Sequence, residues 1–136
     1  MRTEMASDER PALRKIGEVA EATELSIKTI RHYDEVGLVQ PSARSAGGFR
    51  LYTQDDVDRL LTIRRMKPLG FSLEEMGEVL EAIDASTADG TSAATRQSAR
   101  EVLLAFRTRA EEACEGLRVQ LDYARELTRR LGDVVL

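Results

Sequence analysis

Residue types that build metal centres, disulfides and aromatic cores are scarce in this sequence. The 136 residues include one cysteine, one histidine and no tryptophan. Cys114 has no second cysteine with which to form an internal disulfide. His32 lies 82 positions before Cys114, in a different predicted element, so these two side chains do not predict a metal site within one chain. We therefore expect no metal and no cofactor.

Long hydrophobic runs are also missing. The longest, Val102–Phe106, is too short to cross a membrane, and the first twelve residues lack the apolar stretch of a secretory signal. These absences predict a cytoplasmic protein with no membrane partner. No nucleophile–base pair or phosphate-binding loop is recognisable, so an enzyme is not expected. Aromatic residues make up only 4% of the chain, which favours a small, mainly helical core over a β-sandwich.

The net charge of −4 hides an uneven distribution. Residues 11–71 contain ten basic and eight acidic residues, whereas residues 72–136 contain eight basic and thirteen acidic ones. A total charge of this sign argues against an unspecific basic binder. A local patch can still attract phosphate, and the positive excess lies in the N-terminal half.

Two short helices are predicted near the N-terminus. Residues 1–12 are expected to form a disordered tail, and the apolar spacing after Leu13 predicts a first helix. Ser26 is suited to cap a second helix, which Gly37 would end because glycine adopts a positive φ without a Cβ clash. Apolar side chains of this second helix share one face. The opposite face carries mostly polar groups: Lys28, Arg31, His32 and Glu35.

A β-hairpin is predicted next, in the stretch "SARSAGGFRLY" at residues 42–52. Gly47 and Gly48 suit the positive φ angles of a tight hairpin turn. The residues after the turn alternate between two faces, as a strand requires. Arg50 and Tyr52 share one of these faces, where both could contact DNA.

Two further helices follow the hairpin. Thr53 is suited to cap a helix that ends at about Met66 or Lys67, because Pro68 and Gly70 interrupt the helical pattern. The stretch "SLEE" at residues 72–75 is a capping box, and it opens another helix that reaches about Ile83.

The C-terminal part predicts a linker and one long helix. Residues 85–95 are small and polar and are expected to be the linker, residues 96–131 the helix, and residues 132–136 a tail. Apolar residues on this helix repeat with heptad spacing, which is typical of a coiled coil. Because the chain has no second long helix, a second copy is the simplest partner for this seam. The predicted seam residues are Leu103, Phe106, Ala110, Cys114, Leu117, Leu121, Ala124 and Leu127.

The order of elements predicts a winged helix-turn-helix over residues 13–84, in a mainly α chain. In such modules the second helix enters the major groove of DNA, and the hairpin wing contacts neighbouring backbone. The polar face of the second helix, which includes Lys28, can then contact phosphates and base edges. A few positioned cations are enough for this purpose, so the acidic total charge is no obstacle.

The sequence resembles the MerR family of bacterial transcription regulators, in its short form without an appended effector-binding domain. The resemblance covers Leu13 to Ile83. It rests on "IGEVAEATELSIKTIRHYDEVGLVQPSARSAGGFRLYTQDDVDRL" and "KPLGFSLEEM". It implies a homodimer joined by an antiparallel coiled coil, which binds a pseudo-palindromic promoter site and distorts it. RNA polymerase on the same double-stranded DNA is implied as a further partner, and the effector stays unknown.

The resemblance also implies individual DNA contacts. Four positions of the second helix match the family's contacts, as do two positions of the wing and one basic residue after it. Three positions depart from the family pattern: His32 and Phe49 stand where tyrosine is common, and Pro68 replaces a helix former, which could kink the helix end. The positions that correspond to the family's contacts, whatever residue they carry, are Thr29, Arg31, His32, Tyr33, Arg50, Tyr52 and Lys67.

Two other functions stay open at this stage. The acidic C-terminal half also fits a coiled-coil protein-interaction module whose winged helix does not bind DNA. An architectural protein that bends DNA without a promoter role would share the DNA-binding surface. Salt-dependent DNA binding would exclude the first alternative, and a transcription assay would test the second.

Overall fold

A computed structural model describes residues 12–135 of the chain. The tail predicted at residues 1–12 lies outside the described residues except for Ala12. The chain divides into two units, one that extends through Gly77 and one that starts at Glu78. The prediction of a mainly α chain with a winged helix-turn-helix and a long C-terminal helix is confirmed. The elements in order are β1 (Arg14–Lys15), α1 (Ile16–Thr23), α2 (Ile27–Glu35), β2 (Ala43–Arg44), β3 (Arg50–Tyr52), α3 (Gln54–Met66), a 3-10 helix (Lys67–Leu69), α4 (Leu73–Thr87) and α5 (Ala93–Val135).

The strands of the first unit form a small antiparallel sheet in the order β1-β3-β2. The predicted hairpin is formed by β2 and β3, in which Arg44 pairs with Arg50. Gly48 lies in the turn with a φ of +83°, a conformation that favours glycine. β1 was not predicted, because its two residues are too few to show an alternating pattern. It pairs with β3, so β3 is the central strand.

Side-chain caps fix the predicted starts of the helices. The Ser26 Oγ accepts a hydrogen bond of 3.0 Å from the Thr29 N–H. Thr53 and Asp56 cap α3 reciprocally. The predicted capping box of α4 is also present, because the Ser72 N–H donates to Glu75 at 2.9 Å while the Glu75 N–H donates to Ser72 at 3.1 Å. Each such cap stabilises a helix by about 1 kcal/mol.

The core of the first unit lies where α1, α2, α3 and the central strand converge. Its fully buried side chains are mostly β-branched aliphatic residues and leucine, which pack with few alternative rotamers. Thr23 joins them because its hydroxyl donates a 2.8 Å hydrogen bond to the Val19 carbonyl. The fully buried residues are Val19, Thr23, Ile30, Val39, Tyr52, Val57, Leu60 and Ile63.

The boundaries in the C-terminal half differ from the prediction. α4 continues to Thr87 rather than Ile83, and α5 begins at Ala93. The segment predicted as a linker, 85–95, is therefore helical at both ends. Gly90, whose φ is +77°, lies between the two helices. Ser92 then accepts a 3.1 Å hydrogen bond from the Thr95 N–H and caps the start of α5.

α5 is longer than the predicted 96–131. Residues 132–135, predicted as a tail, continue the helix, because no proline or positive-φ residue interrupts it there. Its 43 residues correspond to a length of about 65 Å. Among residues 12–135, none of the helices combines the length and the apolar character that a membrane crossing requires.

Candidate nucleic-acid interface

α2 has the two faces that its sequence predicts. Ile30 is fully buried and Tyr33 is 3% exposed, so both belong to the core. Lys28, Arg31 and His32 are exposed on the other side of the helix. A row of donors on an exposed helix is the arrangement with which helix-turn-helix proteins read DNA. Tyr33, predicted as a DNA contact, offers only a small part of its surface.

Thr29 lies half-buried at the start of this exposed face, with a defined hydrogen-bond pattern. The Ser26 hydroxyl donates to the Thr29 Oγ1 at 2.8 Å, while the Thr29 N–H donates back to the Ser26 Oγ. The Thr29 oxygen is thus an acceptor within the cap. Its own hydroxyl proton is not used in that contact and can be donated to a phosphate or a base edge.

A first cleft lies on one side of α2, with a volume of about 660 Å³. Arg31 from α2 and Arg50 from the wing line it together, although they are 19 positions apart in the sequence. The exposed Phe49 ring lies beside them. Two acidic side chains, Glu18 and Glu21, line the same cleft. The Glu18 carboxylate accepts a 2.8 Å hydrogen bond from the Lys15 N–H at the start of α1.

A second cleft, of about 570 Å³, lies beside α2 next to the 3-10 helix. It brings three exposed cationic or titratable side chains together: Lys28, His32 and Lys67. Its remaining lining is largely apolar and includes the edge of Tyr33, and burial raises the pKa of Tyr33 above its usual value. The kink considered for Pro68 takes the form of a change from α-helix to 3-10 helix after Met66.

The wing is tied to α2 through one buried carboxylate. Asp34 is 9% exposed, and its Oδ2 accepts a hydrogen bond of 2.6 Å from the Arg50 Nε. The Arg44 Nη2 lies 3.4 Å from the same oxygen, and the Arg44 Nη1 donates to the Gly48 carbonyl at 3.1 Å. The hydrogen bond to Asp34 raises the pKa of Arg50. Arg50 therefore has a structural partner as well as a place in the first cleft.

Tyr52, predicted as a DNA contact, does not lie on the surface. The residue is 0% exposed, and burial is the main cause that raises its pKa. The alternation of residues in the sequence does not show that β3 is the central strand. Because β1 covers the other edge of β3, the end of this strand is enclosed and Tyr52 packs in the core.

The predicted seam of α5 leaves large apolar side chains in contact with solvent. Leu117 is 45% exposed, and Leu121 and Leu127 are exposed to a similar extent. Cys114 and Ala124 are also exposed, whereas the seam positions nearer the start of the helix are half-buried: Leu103, Phe106 and Ala110. A helix with such a stripe is typically covered by another element.

Two family models match the chain with this architecture. The model described as MerR HTH family regulatory protein matches residues 14–83, which is half of the chain. The chain belongs to the MerR family. A second model, described as MerR, DNA binding, matches residues 57–123. The family and the matching relatives are transcriptional regulators and not enzymes, in agreement with the sequence-based prediction.

Curated relatives match mainly the N-terminal part of this MerR-family chain. The HTH-type transcriptional regulator CueR of Vibrio cholerae is 45% identical over 86 residues, which are 63% of this chain and 60% of that protein. The regulator ZntR of Escherichia coli is 46% identical over 66 residues, 48% of this chain and 47% of that protein. The chain spans between about a third and three fifths of the curated relatives it matches.

Solved structures extend the likeness over more of the chain. A MerR-family regulator from Bacillus cereus is 34% identical, with 76% of each chain covered and a TM-score of 0.50. A second solved structure is HiNmlR, a MerR family regulator that lacks the sensor domain and was solved bound to promoter DNA. The alignment covers 82% of this chain and 80% of HiNmlR. At 24% identity and a TM-score of 0.61, it is similar to this chain in fold.

The sequence reasoning missed the residues that hold the MerR-type wing in place. Asp34 falls on the apolar face of α2, where a carboxylate is expected only with a partner. The position of Asp34 on this face therefore indicates a buried partner. Which residue is the partner depends on how the hairpin packs against the helix. Arg44 was missed because nothing in its local sequence distinguishes it from a solvated arginine.

Proposed function

We propose that this MerR-family chain is a homodimeric, sequence-specific DNA-binding regulator of transcription. The observation that carries the proposal is the placement of α2 between two clefts that collect cations from distant parts of the sequence. One cleft combines Arg31 with Arg50, and the other combines Lys28 and His32 with Lys67. In the proposed complex α2 enters the major groove, and both clefts accept the DNA backbone on either side of it.

The proposed contacts are of two kinds: some read the base sequence, and others fix the position of the protein on the DNA backbone. Arg31 is exposed on the helix that enters the groove, and its planar fork of donors suits the O6 and N7 acceptors of guanine. Thr29 can donate its hydroxyl proton at the start of the same helix. Lys28, His32 and Lys67 suit phosphate oxygens, which fix the register without reading sequence. Arg50 is proposed to contact phosphate from the wing.

The dimer is proposed to form through α5. The exposed leucines of the seam would become buried when a second α5 packs against them, at about 25 cal/mol for each Å² of apolar surface removed from water. An antiparallel arrangement keeps the N-terminal ends of the two helices apart by roughly the length of the coil. Two copies of α2 could then occupy two half-sites of a pseudo-palindrome.

We further propose that the bound dimer distorts the promoter. Bending or untwisting DNA costs elastic energy, and additional backbone contacts at the wings and the second clefts would offset that cost. A distorted promoter can place its two recognition elements correctly for RNA polymerase, which we propose as a partner on the same DNA. A location in the cytoplasm belongs to the same proposal.

The proposal is tested by selecting bound fragments from genomic DNA with the purified full-length protein. The best fragment is then footprinted at several salt concentrations. A symmetric protected site between two promoter elements, with binding that weakens as salt rises, is the expected result. Transcription from that fragment should then change when the protein is added.

Other outcomes would support the alternatives. Protection of fragments without a promoter, and no effect on transcription, would favour an architectural DNA-bending protein. No enrichment over unspecific DNA would contradict the proposal and leave the acidic C-terminal half as the basis for a protein-interaction module.

A further inference from the structure

Asp34 is an acidic side chain on the helix that is proposed to enter DNA, and its nearest partners are arginines of the wing. We propose that Asp34 is a positioning residue that strengthens DNA binding by fixing Arg50 and the wing, although its own negative charge repels DNA. This inference rests on the proposed function. The inference also goes beyond the proposed function, because a carboxylate that does not contact DNA is given a favourable role in DNA binding.

The contacts converge on a single atom. The Asp34 Oδ2 accepts from the Arg50 Nε at 2.6 Å and lies 3.4 Å from the Arg44 Nη2. Arg44 also donates to the carbonyl of Gly48 in the turn. Because Arg44 and Arg50 face each other across the β2–β3 ladder, both strands and their turn are connected to one position of α2. We call this set of contacts the wing clamp.

The turn end of the hairpin needs such a clamp, because β1 pairs only with Leu51 and Tyr52 at the base of the hairpin and the hairpin strands are short. β2 has two residues and β3 has three, and a ladder of this length holds an orientation poorly without outside support. Phe49, next to the turn, is exposed and anchors nothing in the core. The wing clamp therefore supplies the polar connection between the wing and α2.

Burial makes the main contact of the clamp effective. Asp34 is 9% exposed and the Arg50 side chain is 23% exposed, so water screens this pair less than an ordinary surface pair. An unpaired carboxylate at this position would be strongly unfavourable. The Arg44 side chain is about half exposed and its contact is longer, so its share of the clamp is smaller.

Arg50 can contact DNA while it is hydrogen-bonded to Asp34. A guanidinium has five N–H donors, and only the one on Nε takes part in the contact to Asp34. The donors on the two Nη atoms are not part of that contact. Since Arg50 lines the first cleft together with Arg31, Asp34 fixes how far the wing cation lies from the helix cation. A cation held in place before binding loses less conformational freedom on binding.

The proposed positioning role and a simple charge-repulsion account predict opposite changes in DNA affinity for Asp34→Asn. If the charge of Asp34 only repels phosphate, its removal should tighten DNA binding. If Asp34 positions the wing, the same change should weaken binding by about tenfold or more and make its salt dependence shallower, because a phosphate contact by Arg50 is lost. Affinity is measured by fluorescence anisotropy on the selected genomic fragment with the full-length protein.

Two further variants separate charge from position. Asp34→Glu keeps the charge but moves the carboxylate by one methylene, so the proposal predicts binding weaker than wild type and the charge account predicts no change. Asp55→Asn removes an exposed carboxylate of the same unit and should leave affinity equal or slightly higher. The Glu variant keeps the test decisive if Asp34→Asn does not fold.

Hydrogen exchange on the free protein gives a readout that does not depend on DNA. Asp34→Asn, or Asp34→Glu in its place, should speed amide exchange in residues 43–52 while α3 retains its protection. Unchanged exchange in the hairpin, together with affinity equal to or above wild type, would overturn the wing clamp. If wild-type protein selects no DNA, the proposed function fails, and the exchange experiment alone still decides whether Asp34 holds the wing.

Discussion

Ser42 and Asp56 are 14 positions apart and share a hydrogen bond of 2.6 Å between the serine Oγ and the aspartate Oδ2. The Ser42 N–H donates to the same oxygen at 3.2 Å, and the Thr53 N–H does so at 2.9 Å. Asp56 is buried. One carboxylate therefore joins the start of the hairpin to the cap of α3.

Replacing Asp56 should destabilise the fold much more than replacing its neighbour. Asp56→Ala removes a helix cap and leaves the Ser42 donors without their acceptor, so we expect a loss of about 2–3 kcal/mol in the free energy of unfolding. Asp55→Ala removes an exposed carboxylate from the same first turn and should cost less than about 0.5 kcal/mol. Urea denaturation measures both. Equal losses would mean that Asp56 acts only through the helix dipole.

Arg31→Ala should weaken DNA binding without changing the fold. Loss of a specific arginine contact costs about 1–3 kcal/mol, or roughly fivefold to somewhat more than a hundredfold in affinity. Arg107 is an exposed arginine on α5 paired with Glu111, and Arg107→Ala should bind DNA as the wild type does. Anisotropy titrations at one fixed salt concentration measure both variants. Equal affinities for the two variants would remove α2 from the proposed interface.

Tyr52→Phe should leave DNA affinity unchanged and should not lower stability. In the part of the chain that the structure describes, the Tyr52 hydroxyl is buried and has no hydrogen-bond partner. A buried hydroxyl in this state costs about 1–3 kcal/mol, so its removal is expected to raise the melting temperature slightly. Weaker DNA binding by this variant, at unchanged stability, would restore Tyr52 as a contact residue.

Tyr52 also shows which parts of the structure were predictable from sequence. Ser26, Thr53 and Ser72 predict helix starts because a cap acts on the backbone within three residues. The hairpin is predictable because Gly47 and Gly48 mark its turn, although only Gly48 adopts the positive φ predicted for both. Tyr52, Asp34 and Asp56 depend instead on strands and helices that meet across 14 or more positions. The spacing of residues in the sequence contains no information about such tertiary contacts. Tyr52 is therefore buried although its exposure was predicted, whereas Arg31 is exposed as predicted.

Alkaline pH should destabilise the protein through its buried tyrosines. Burial raises the pKa of Tyr52 above its ordinary value of 10.0, so the unfolded chain loses this proton at a lower pH than the folded chain does. The contribution of the protonated Tyr52 side chain to the free energy of unfolding is therefore complete below pH 10. It is lost as the pH rises from that value through the raised pKa.

Denaturation midpoints of wild type and Tyr52→Phe measure this effect between pH 8 and about pH 11. The midpoint of the variant should fall less steeply with pH, because it lacks the buried ionisable group. Tyr123 is exposed on α5, and Tyr123→Phe removes a hydroxyl that folding does not bury, so its curve should follow the wild type. Identical slopes for all three proteins would mean that Tyr52 is accessible to water.

Leu117→Asp should separate the proposed dimer into monomers. Leu117 lies at the middle of the predicted seam, and a charge placed between two packed helices costs several kcal/mol unless it is paired. Binding to a two-fold symmetric DNA site should then fall strongly, because each monomer contacts one half-site alone. Leu104 is an exposed leucine of the same helix outside the predicted seam, so Leu104→Asp should remain dimeric. Light scattering measures the mass of each variant. A dimer of unchanged affinity for Leu117→Asp, or monomers from both variants, would contradict the predicted seam.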